Sequence, residues 1–446
     1  MNTSAIHTTL PSHRDYILLS LPLIVSTITT PLLGLVDTAV VGHLFDPAYL
    51  GGTAIGTLIF NTMYWLFGFL RVSTSGFAAQ ARGKNDMLEG MADLIRPLMI
   101  ALVIGLVFIA LQVPIVQTSL WLMRPTDEVA HWAAVYFHIR IWGAPLTLLN
   151  YVLIGWLMGM AHIRQTLITQ ITMNVVNMIL AIWFVQGLHW GVAGVAAATL
   201  FAEALALLIG LWFVWRSPYM ELVGLRWKGL FSWNSLRPMF RANSDLLVRT
   251  ICLLTMFNIF TAQSTSFGPE LLAANSILLQ IHYVMAYFFD GLANASSIYA
   301  GRAKGAQSLP LLQRSLRLSW VWTSVVALLL TLIYALGREA FIGLFTDNEA
   351  VAGLAMHYQG WLLLFPLSTG FGLVFYGVFT GMTLTAPIRN SMLLSIALFI
   401  VSCLVLIPLY GNHGLWICFI VFGLGRSLFL LLYVPGLARR AQMQVE

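Results

Sequence analysis

The stretch GTAIGTLIFNTMYWLFGFLRVSTSGFAAQARG occupies residues 52–83, and ANSILLQIHYVMAYFFDGLANASSIYAGRAKG occupies residues 274–305. A shift of 222 residues aligns the two stretches without a gap. The alignment places Arg82 on Lys304 near the end of each stretch. The sequence therefore predicts two halves derived from one repeated unit.

A second pair of segments obeys the same shift, with LIGWLMGM (153–160) falling on FYGVFTGM (375–382). If each half holds six membrane spans, an even number, the halves share one orientation and are related by an axis along the membrane normal. We expect an N-lobe over residues 1–215, a cytoplasmic amphipathic linker over 216–239 and a C-lobe over 240–446.

The composition indicates a polytopic membrane protein, because 59% of the 446 residues are hydrophobic and only 9% are charged. Helices are the expected elements, since an open strand would leave backbone groups unpaired in lipid. The fold class predicted is all-α, with two pseudo-symmetric six-helix bundles. The twelve predicted spans are 17–41, 50–72, 94–117, 133–158, 166–186, 191–215, 240–265, 271–298, 316–337, 355–382, 389–409 and 414–437.

The basic residues of the loops predict the orientation. With a cytoplasmic N-terminus, eighteen Lys and Arg residues fall on that side, and only Arg124 and Arg338 fall on the other. Both termini are therefore expected in the cytoplasm, with the chain in a bacterial inner membrane. The net charge of +6 is spread over short loops, which indicates contact with lipid headgroups and no nucleic-acid partner.

The first span carries an acid, Asp37, within PLLGLVDTAVVGHL (31–44). An ionised Asp at the centre of a membrane helix costs about 2.5–3.5 kcal/mol, and protonation removes that cost. Pro22 and Pro31 precede it, and each can kink the helix. These residues predict a switch in which protonation of Asp37 changes the bend of the helix. Local capping by Asp37 is the structural alternative.

Polar residues in other spans of the first half could form a network with this acid. Asn174 and Asn177 are three residues apart and so share a helix face. A protonatable carboxylate is a good partner for a buried amide, although a packing hydrogen bond without function is the alternative. Asn61 and Tyr151 are weaker candidates of the same kind.

The second half has its own polar candidates. Asp245 and Arg249 are four residues apart and are expected to neutralise each other. Asp290 and Asn294 share that spacing, and Gln280 lies on the same span. The acid of span 6, Glu203, and the base of span 12, Arg426, could each find a partner within its own half and are interpreted as structural.

Enzyme signatures are absent from the sequence. There is no Walker-type phosphate loop, no His-Glu-x-x-His pair and no cluster of Cys and His residues. The three cysteines lie within apolar runs and are interpreted as packing residues. We expect no enzyme activity, no cofactor and no metal site.

Five segments together resemble the multidrug and toxic compound extrusion (MATE) family, and within it the bacterial DNA-damage-inducible-F branch. The segments are PLLGLVDTAVVGHLFDPAYLGGTAIG (31–56), AAQARGKND (78–86), GWLMGMAHIRQTLITQITMNVVNMIL (155–180), LLAANSILLQ (271–280) and YFFDGLANA (287–295). The resemblance implies a twelve-helix, two-lobed antiporter that exports amphipathic, often cationic drugs, driven by protons or sodium.

The resemblance also assigns roles to residues of this chain. It implies that Asp37 is the coupling acid, Pro22 the site of bending and Asn177 part of the polar network. Many relatives carry an Asp four residues after that Asn, where this chain has Ala181. The middle of span 7 and span 10 also lack the acids of sodium-coupled relatives, so proton coupling is favoured over sodium.

Other functions stay open at this point. A flippase for a lipid-linked precursor would need several cations for the pyrophosphate, and only Arg140, Arg249 and Arg426 lie well inside spans, away from the span ends. A membrane-embedded transferase or hydrolase would need a second acid or a nucleophile close to Asp37. The favoured prediction is a proton-coupled multidrug antiporter that works as a monomer within membrane lipid.

Overall fold

The computed structural model describes residues 10–42, 47–217, 231–346 and 348–437, with the backbone alone described at 29–39, 41–42 and 47. Within these ranges the chain is helical and contains no strand. The helices are α1 His13–Gly42, α2 Pro47–Phe67, α3 Phe69–Lys84, α4 Met87–Ala110, α5 Gln112–Met123, α6 Asp127–Arg140, α7 Ala144–Gly159, α8 Ile163–Ile182, α9 Gly191–Trp215, α10 Trp233–Ser266, α11 Pro269–Gly305, α12 Leu309–Gly343, α13 Glu349–Tyr358, α14 Gly360–Gly381, α15 Ala386–Tyr410 and α16 Asn412–Leu431.

The predicted all-α membrane fold is confirmed. Eleven stretches of the described chain are long and apolar enough to cross a membrane, and α1 contains the predicted first span. Two of the eleven combine consecutive helices, with α2 and α3 forming Ala48–Lys84 and α6 and α7 forming Asp127–Gly159. A 3-10 turn, Ile141–Gly143, joins α6 to α7.

The chain divides into two compact units. The N-terminal unit comprises the described residues of Ile28–Met239, and the C-terminal unit comprises those of Met1–Thr27 and Phe240–Glu446. The first half of α1 therefore groups with the C-terminal unit, whereas the sequence grouped all of residues 1–215 together. Of the expected linker, residues 218–230 lie outside the described residues, and Trp233–Met239 already belongs to α10.

Close packing against α11 explains why the first half of α1 belongs to the C-terminal unit. The Tyr16 hydroxyl, fully buried, donates to Leu292 O at 3.3 Å and lies 2.7 Å from Ser296 Oγ. Ile24 packs directly on the backbone of Gly291, where an added Cβ would lie 2.2 Å from Ile24 Cγ1. Only glycine permits so close an approach, so α1 and α11 pack directly against each other at this crossing.

The predicted repeat appears as the same helix crossing in each unit. A Cβ at Gly155 would lie 2.3 Å from Arg71 O, and a Cβ at Gly377 would lie 2.0 Å from Ala293 O. Both pairs are related by the 222-residue shift. The α3–α7 and α11–α14 crossings thus depend on equivalent glycines, which confirms that the two halves share one architecture.

A basic residue closes each of these crossings in the same way. Arg82 Nη1 donates to Met160 O at the end of α7, and Lys304 Nζ donates to Met382 O at 2.6 Å at the end of α14. Arg82 and Lys304, which the sequence aligns, therefore make the same contact in the two halves of the chain. Each cation satisfies a helix C-terminal carbonyl that the helix itself cannot bond.

Candidate functional site

The predicted switch residues lie on the two halves of α1. The backbone at Asp37 is helical and belongs to the N-terminal unit, but its side chain lies outside the described residues. Pro22 lies in the first half, which packs with the C-terminal unit, and its side chain is half-buried. α1 continues through Pro22 and Pro31 as one helix, so one element connects residues of both units.

The polar face of α8 points into the N-terminal unit. Asn174, Asn177 and Ala181 are buried, while the apolar residues Val175 and Ile179 are exposed by 43% and 59%. This polarity is the reverse of a water-soluble helix and suits lipid outside and polar groups inside. The prediction that both asparagines share one buried face is confirmed. Within the described chain, Asn177 Oδ1 is buried and has no hydrogen-bond partner.

The two weaker N-lobe candidates occupy different environments. Asn61 is exposed on α2, so the structure does not bring it into the buried polar interior of its unit. Tyr151 is half-buried on α7, the helix that also contributes to the ion-pair network of this unit.

That network is built around a buried ion pair that the sequence did not single out as a site. Arg140 on α6 donates to Glu203 on α9 through Nη1 and Nη2, both at 3.0 Å. Thr147 Oγ1 donates to the same carboxylate at 2.8 Å, and Asn150 Nδ2 donates to Glu203 O at 2.8 Å. The Phe60 ring lies 5.4 Å from Arg140 Cζ. The expectation that Glu203 finds its partner within its own half is confirmed.

The pairing predicted for Asp245 is wrong. Its carboxylate accepts hydrogen bonds from Arg389 Nη1 and Thr385 Oγ1, both at 2.7 Å, and not from Arg249. Asp245 is buried, with a side chain only 4% exposed, whereas the Arg389 side chain is 36% exposed. Arg389 on α15 is the preferred partner because its guanidinium donates a charge-assisted hydrogen bond to the buried carboxylate. The hydroxyl of the nearby Thr385 donates the second hydrogen bond.

Arg249 instead belongs to a second cluster in the C-terminal unit. Its Cζ lies 3.9 Å from the centroid of the Tyr376 ring on α14. Arg426 on α16 is buried, and the groups that act electrostatically on it include Arg249, Asp290 and Tyr376. Within the described residues, no ion pair or hydrogen bond holds Arg426, and Asp290 of the same half is the acid that acts on it electrostatically.

The remaining C-lobe candidates lie along α11. Asp290 and Asn294 are half-buried, and Gln280 is exposed. Among the residues that the structure describes, no three His, Cys, Asp or Glu side chains come together as a group able to hold a metal ion.

His162 is a half-buried titratable group in the turn between α7 and α8, outside the membrane-spanning stretches. Burial lowers the pKa of its imidazole below the ordinary 6.5, and the charge of Arg82 lowers this pKa further. The ring stacks on Trp156 at 6.3 Å between centroids. His162 is therefore neutral at physiological pH.

Three comparisons agree on the relatives of this chain. The family profile described as MatE matches residues 22–183 and 246–405. The chain is 36% identical to the DNA damage-inducible protein F of Escherichia coli (strain K12), with 92% of this chain and 90% of that protein covered. It is 24% identical to a probable multidrug resistance protein NorM of Xylella fastidiosa (strain 9a5c), covering 83% and 79%.

Among solved structures, the fold is similar to the outward-facing conformation of a multidrug resistance MATE family transporter of the MOP superfamily. The TM-score is 0.88 at 19% identity, and the match covers 99% of this chain and 100% of that one.

Proposed function

Because the chain belongs to the MatE family of membrane transporters, we propose that it is a proton-coupled antiporter that exports amphipathic, often cationic compounds. It works as a monomer in the bacterial inner membrane with both termini in the cytoplasm. The family consists of transporters and not enzymes, so a transferase or hydrolase is set aside.

The buried Asn177 amide is the observation that best supports proton coupling. Its Oδ1 is buried without a partner among the described residues, so it is an acceptor that needs a donor. A protonated carboxylic acid has an O–H to donate, whereas a carboxylate has none. Asp37 belongs to the same unit. In this proposal Asn177 Oδ1 accepts a hydrogen bond from the protonated carboxyl group of Asp37. That bond stabilises the neutral form of Asp37.

The neighbouring position on α8 favours protons over sodium. Ala181 is fully buried one turn after Asn177. A methyl group offers no oxygen to a sodium ion, which is bound by several oxygen ligands in proteins. A single carboxylate with an amide beside it is sufficient to carry a proton.

Helix α1 is the proposed transmission element. Its first half, with Pro22, is packed against α11, and its second half, with Asp37, belongs to the other unit. A change of charge at Asp37 can therefore be passed to the C-terminal unit by bending one helix. The missing backbone donors at Pro22 and Pro31 reduce the cost of that bend.

The driving force is adequate for useful accumulation. One pH unit supplies about 1.4 kcal/mol, and 100 mV supplies about 2.3 kcal/mol for each charge moved. A precursor flippase is less well supported, because Glu203 occupies both terminal nitrogens of Arg140. Of the three arginines well inside the predicted spans, that leaves Arg249 and Arg426 without an ion-pair partner among the described residues.

The test is efflux of ethidium from proteoliposomes with a proton gradient or a sodium gradient imposed separately. Wild type is compared with Asp37→Asn and with Asp127→Asn, which removes an exposed acid at the start of α6 as a matched control. We expect efflux with the proton gradient alone, none in Asp37→Asn and wild-type rates in Asp127→Asn. Sodium-driven efflux, or full activity in Asp37→Asn, would contradict proton coupling through this acid.

Asn177→Ala provides a second check on the same proposal. Because the amide stabilises the protonated acid, its loss should reduce efflux less than Asp37→Asn does and move the half-maximal pH of efflux downward. An unchanged pH profile would remove Asn177 from the coupling site.

A further inference from the structure

The interior of the C-terminal unit contains two arginines whose hydrogen-bonding capacity the described protein does not use. Arg426 is 7% exposed and has no hydrogen bond or ion pair to any described residue. Arg249 is half-buried, and its Nε atom is buried and likewise has no partner within the described chain. Buried charges normally carry both a counter-charge and hydrogen bonds, because desolvation without them is costly.

The contact that Arg249 does make keeps its donors available. Its guanidinium lies over the Tyr376 ring, with Cζ 3.9 Å from the ring centroid. A cation–π contact uses the charge of the guanidinium and consumes none of its five N–H groups. Stacking on the ring also restricts the orientation of the planar group, which prepares it for an oxygen-bearing ligand in its own plane.

The local charge balance favours an anion of single charge. Arg249 and Arg426 interact electrostatically with each other, and Asp290 is the acid that acts on Arg426. Two guanidinium groups against one carboxylate leave one excess positive charge. Two like charges that act on each other inside a membrane protein carry a cost, and an anion bound to both would offset their repulsion and their desolvation.

The surroundings of the pair add an apolar requirement. Arg426 acts electrostatically on His282, whose ring centroid lies 4.0 Å from that of Phe365 and 4.9 Å from that of Phe419. His282 Nδ1 is buried and has no hydrogen-bond partner in the part of the chain that the structure describes. Aromatic walls beside a charged group suit a ligand with an aromatic skeleton and one acidic group.

We infer that the C-terminal unit holds a binding site for an amphipathic organic monoanion, whose carboxylate is bound by Arg249 and Arg426 and whose aromatic skeleton packs beside His282. This inference deepens the proposed export function by adding carboxylate-bearing compounds to the exported substrates. Export of these compounds rests on the proposed function. Binding itself needs no gradient and no coupling acid.

The test is equilibrium dialysis of labelled 2-naphthoate against the full-length protein in phosphatidylcholine nanodiscs, with empty nanodiscs subtracted. Uncharged 2-naphthamide is the matched ligand, since it keeps the ring and loses the charge. We expect naphthoate to bind at least about tenfold more tightly than naphthamide. Each of Arg249→Gln and Arg426→Gln should weaken naphthoate binding about 10- to 100-fold while leaving naphthamide unchanged.

Controls separate this site from general effects. Arg338→Gln removes an exposed arginine of α12 in the same unit and should bind as wild type. Asp290→Asn removes the competing negative charge and should tighten naphthoate binding about threefold or more. If Arg426→Gln fails to fold, Arg249→Gln and Asp290→Asn still predict opposite shifts, so the inference stays open to refutation.

Three results would overturn the inference: equal binding of the two naphthalene ligands, a naphthoate affinity that neither arginine changes, or a site that prefers inorganic pyrophosphate and so points to a polyanionic ligand. Asp37→Asn distinguishes the two proposals, because it should bind naphthoate normally while failing to export ethidium. Loss of export with retained naphthoate binding leaves the anion site standing, and the reverse outcome leaves the antiporter standing.

Discussion

Replacing Glu203 by Gln tests how much the N-terminal unit depends on its buried ion pair. The carboxylate accepts two hydrogen bonds from Arg140 at 3.0 Å and one from Thr147 at 2.8 Å. Both charged side chains are at most 10% exposed. Glutamine keeps the shape but loses the charge, so Arg140 is left buried without a counter-ion.

The expected cost follows from that geometry. Breaking a buried pair by removing one partner costs about 3–5 kcal/mol. The bond from Asn150 goes to the backbone oxygen of Glu203 and survives the change, so the loss is confined to the carboxylate. A double variant, Arg140→Met with Glu203→Leu, removes both charges together and should cost at least about 2 kcal/mol less than Glu203→Gln alone.

The measurement is thermal unfolding of the purified variants in detergent micelles, followed by tryptophan fluorescence. Glu128→Gln, at an exposed acid in the first turn of α6, is the matched control and should unfold as wild type does. Loss of less than about 1 kcal/mol in Glu203→Gln, or a double variant weaker than the single one, would refute the interpretation of a structurally required pair. Normal stability with abolished efflux would assign the pair to transport instead.

Three further changes test other parts of the structure. Gly377→Leu and Gly155→Leu should each lower stability by about 1–3 kcal/mol or more in the same thermal assay, because each new side chain would meet the backbone of the crossing helix. A large difference between the two losses would contradict the equivalence of the two crossings. Arg389→Gln should destabilise the protein by about 1–3 kcal/mol more than Asp245→Asn. The first change leaves the buried carboxylate of Asp245 without its charged partner, whereas the second leaves the half-exposed cation of Arg389 without one. Equal losses would refute that asymmetry. Burial lowers the pKa of His162 below 6.5, so the unfolded chain takes up a proton below pH 6.5 that the folded chain resists, and stability should fall there. His162→Gln should flatten that part of the pH–stability curve, and an unaltered curve would exclude His162 as the cause.

The sequence predicted those features that depend on repetition and on local periodicity. The 222-residue shift aligned Arg82 with Lys304, and both donate to the carbonyl that ends the helix they cross. Helical spacing likewise placed Asn174 and Asn177 on one buried face. Such features repeat at fixed intervals, so the chain itself displays them.

Partners that come from distant helices were not predictable in this way. Asp245 has Arg249 four residues away but pairs with Arg389, 144 residues later in the chain. Arg140 and Glu203 are 63 residues apart, and nothing in either span indicates the other. Periodicity gives the face on which a charge lies, whereas tertiary packing decides which helix presents the opposite charge to that face.

The attachment of α1 to α11 has a consequence for synthesis in the cell. The bond from the Tyr16 hydroxyl to Leu292 O spans 276 residues. At a translation rate of about 5–20 residues per second, Tyr16 is synthesised about 14–55 s before Leu292. During that interval the first half of α1 has no final neighbour, and the Tyr16 hydroxyl lacks its partners Leu292 O and Ser296 Oγ. Slowing translation between residues 42 and 269 should therefore reduce the yield of folded protein more than slowing it after residue 305.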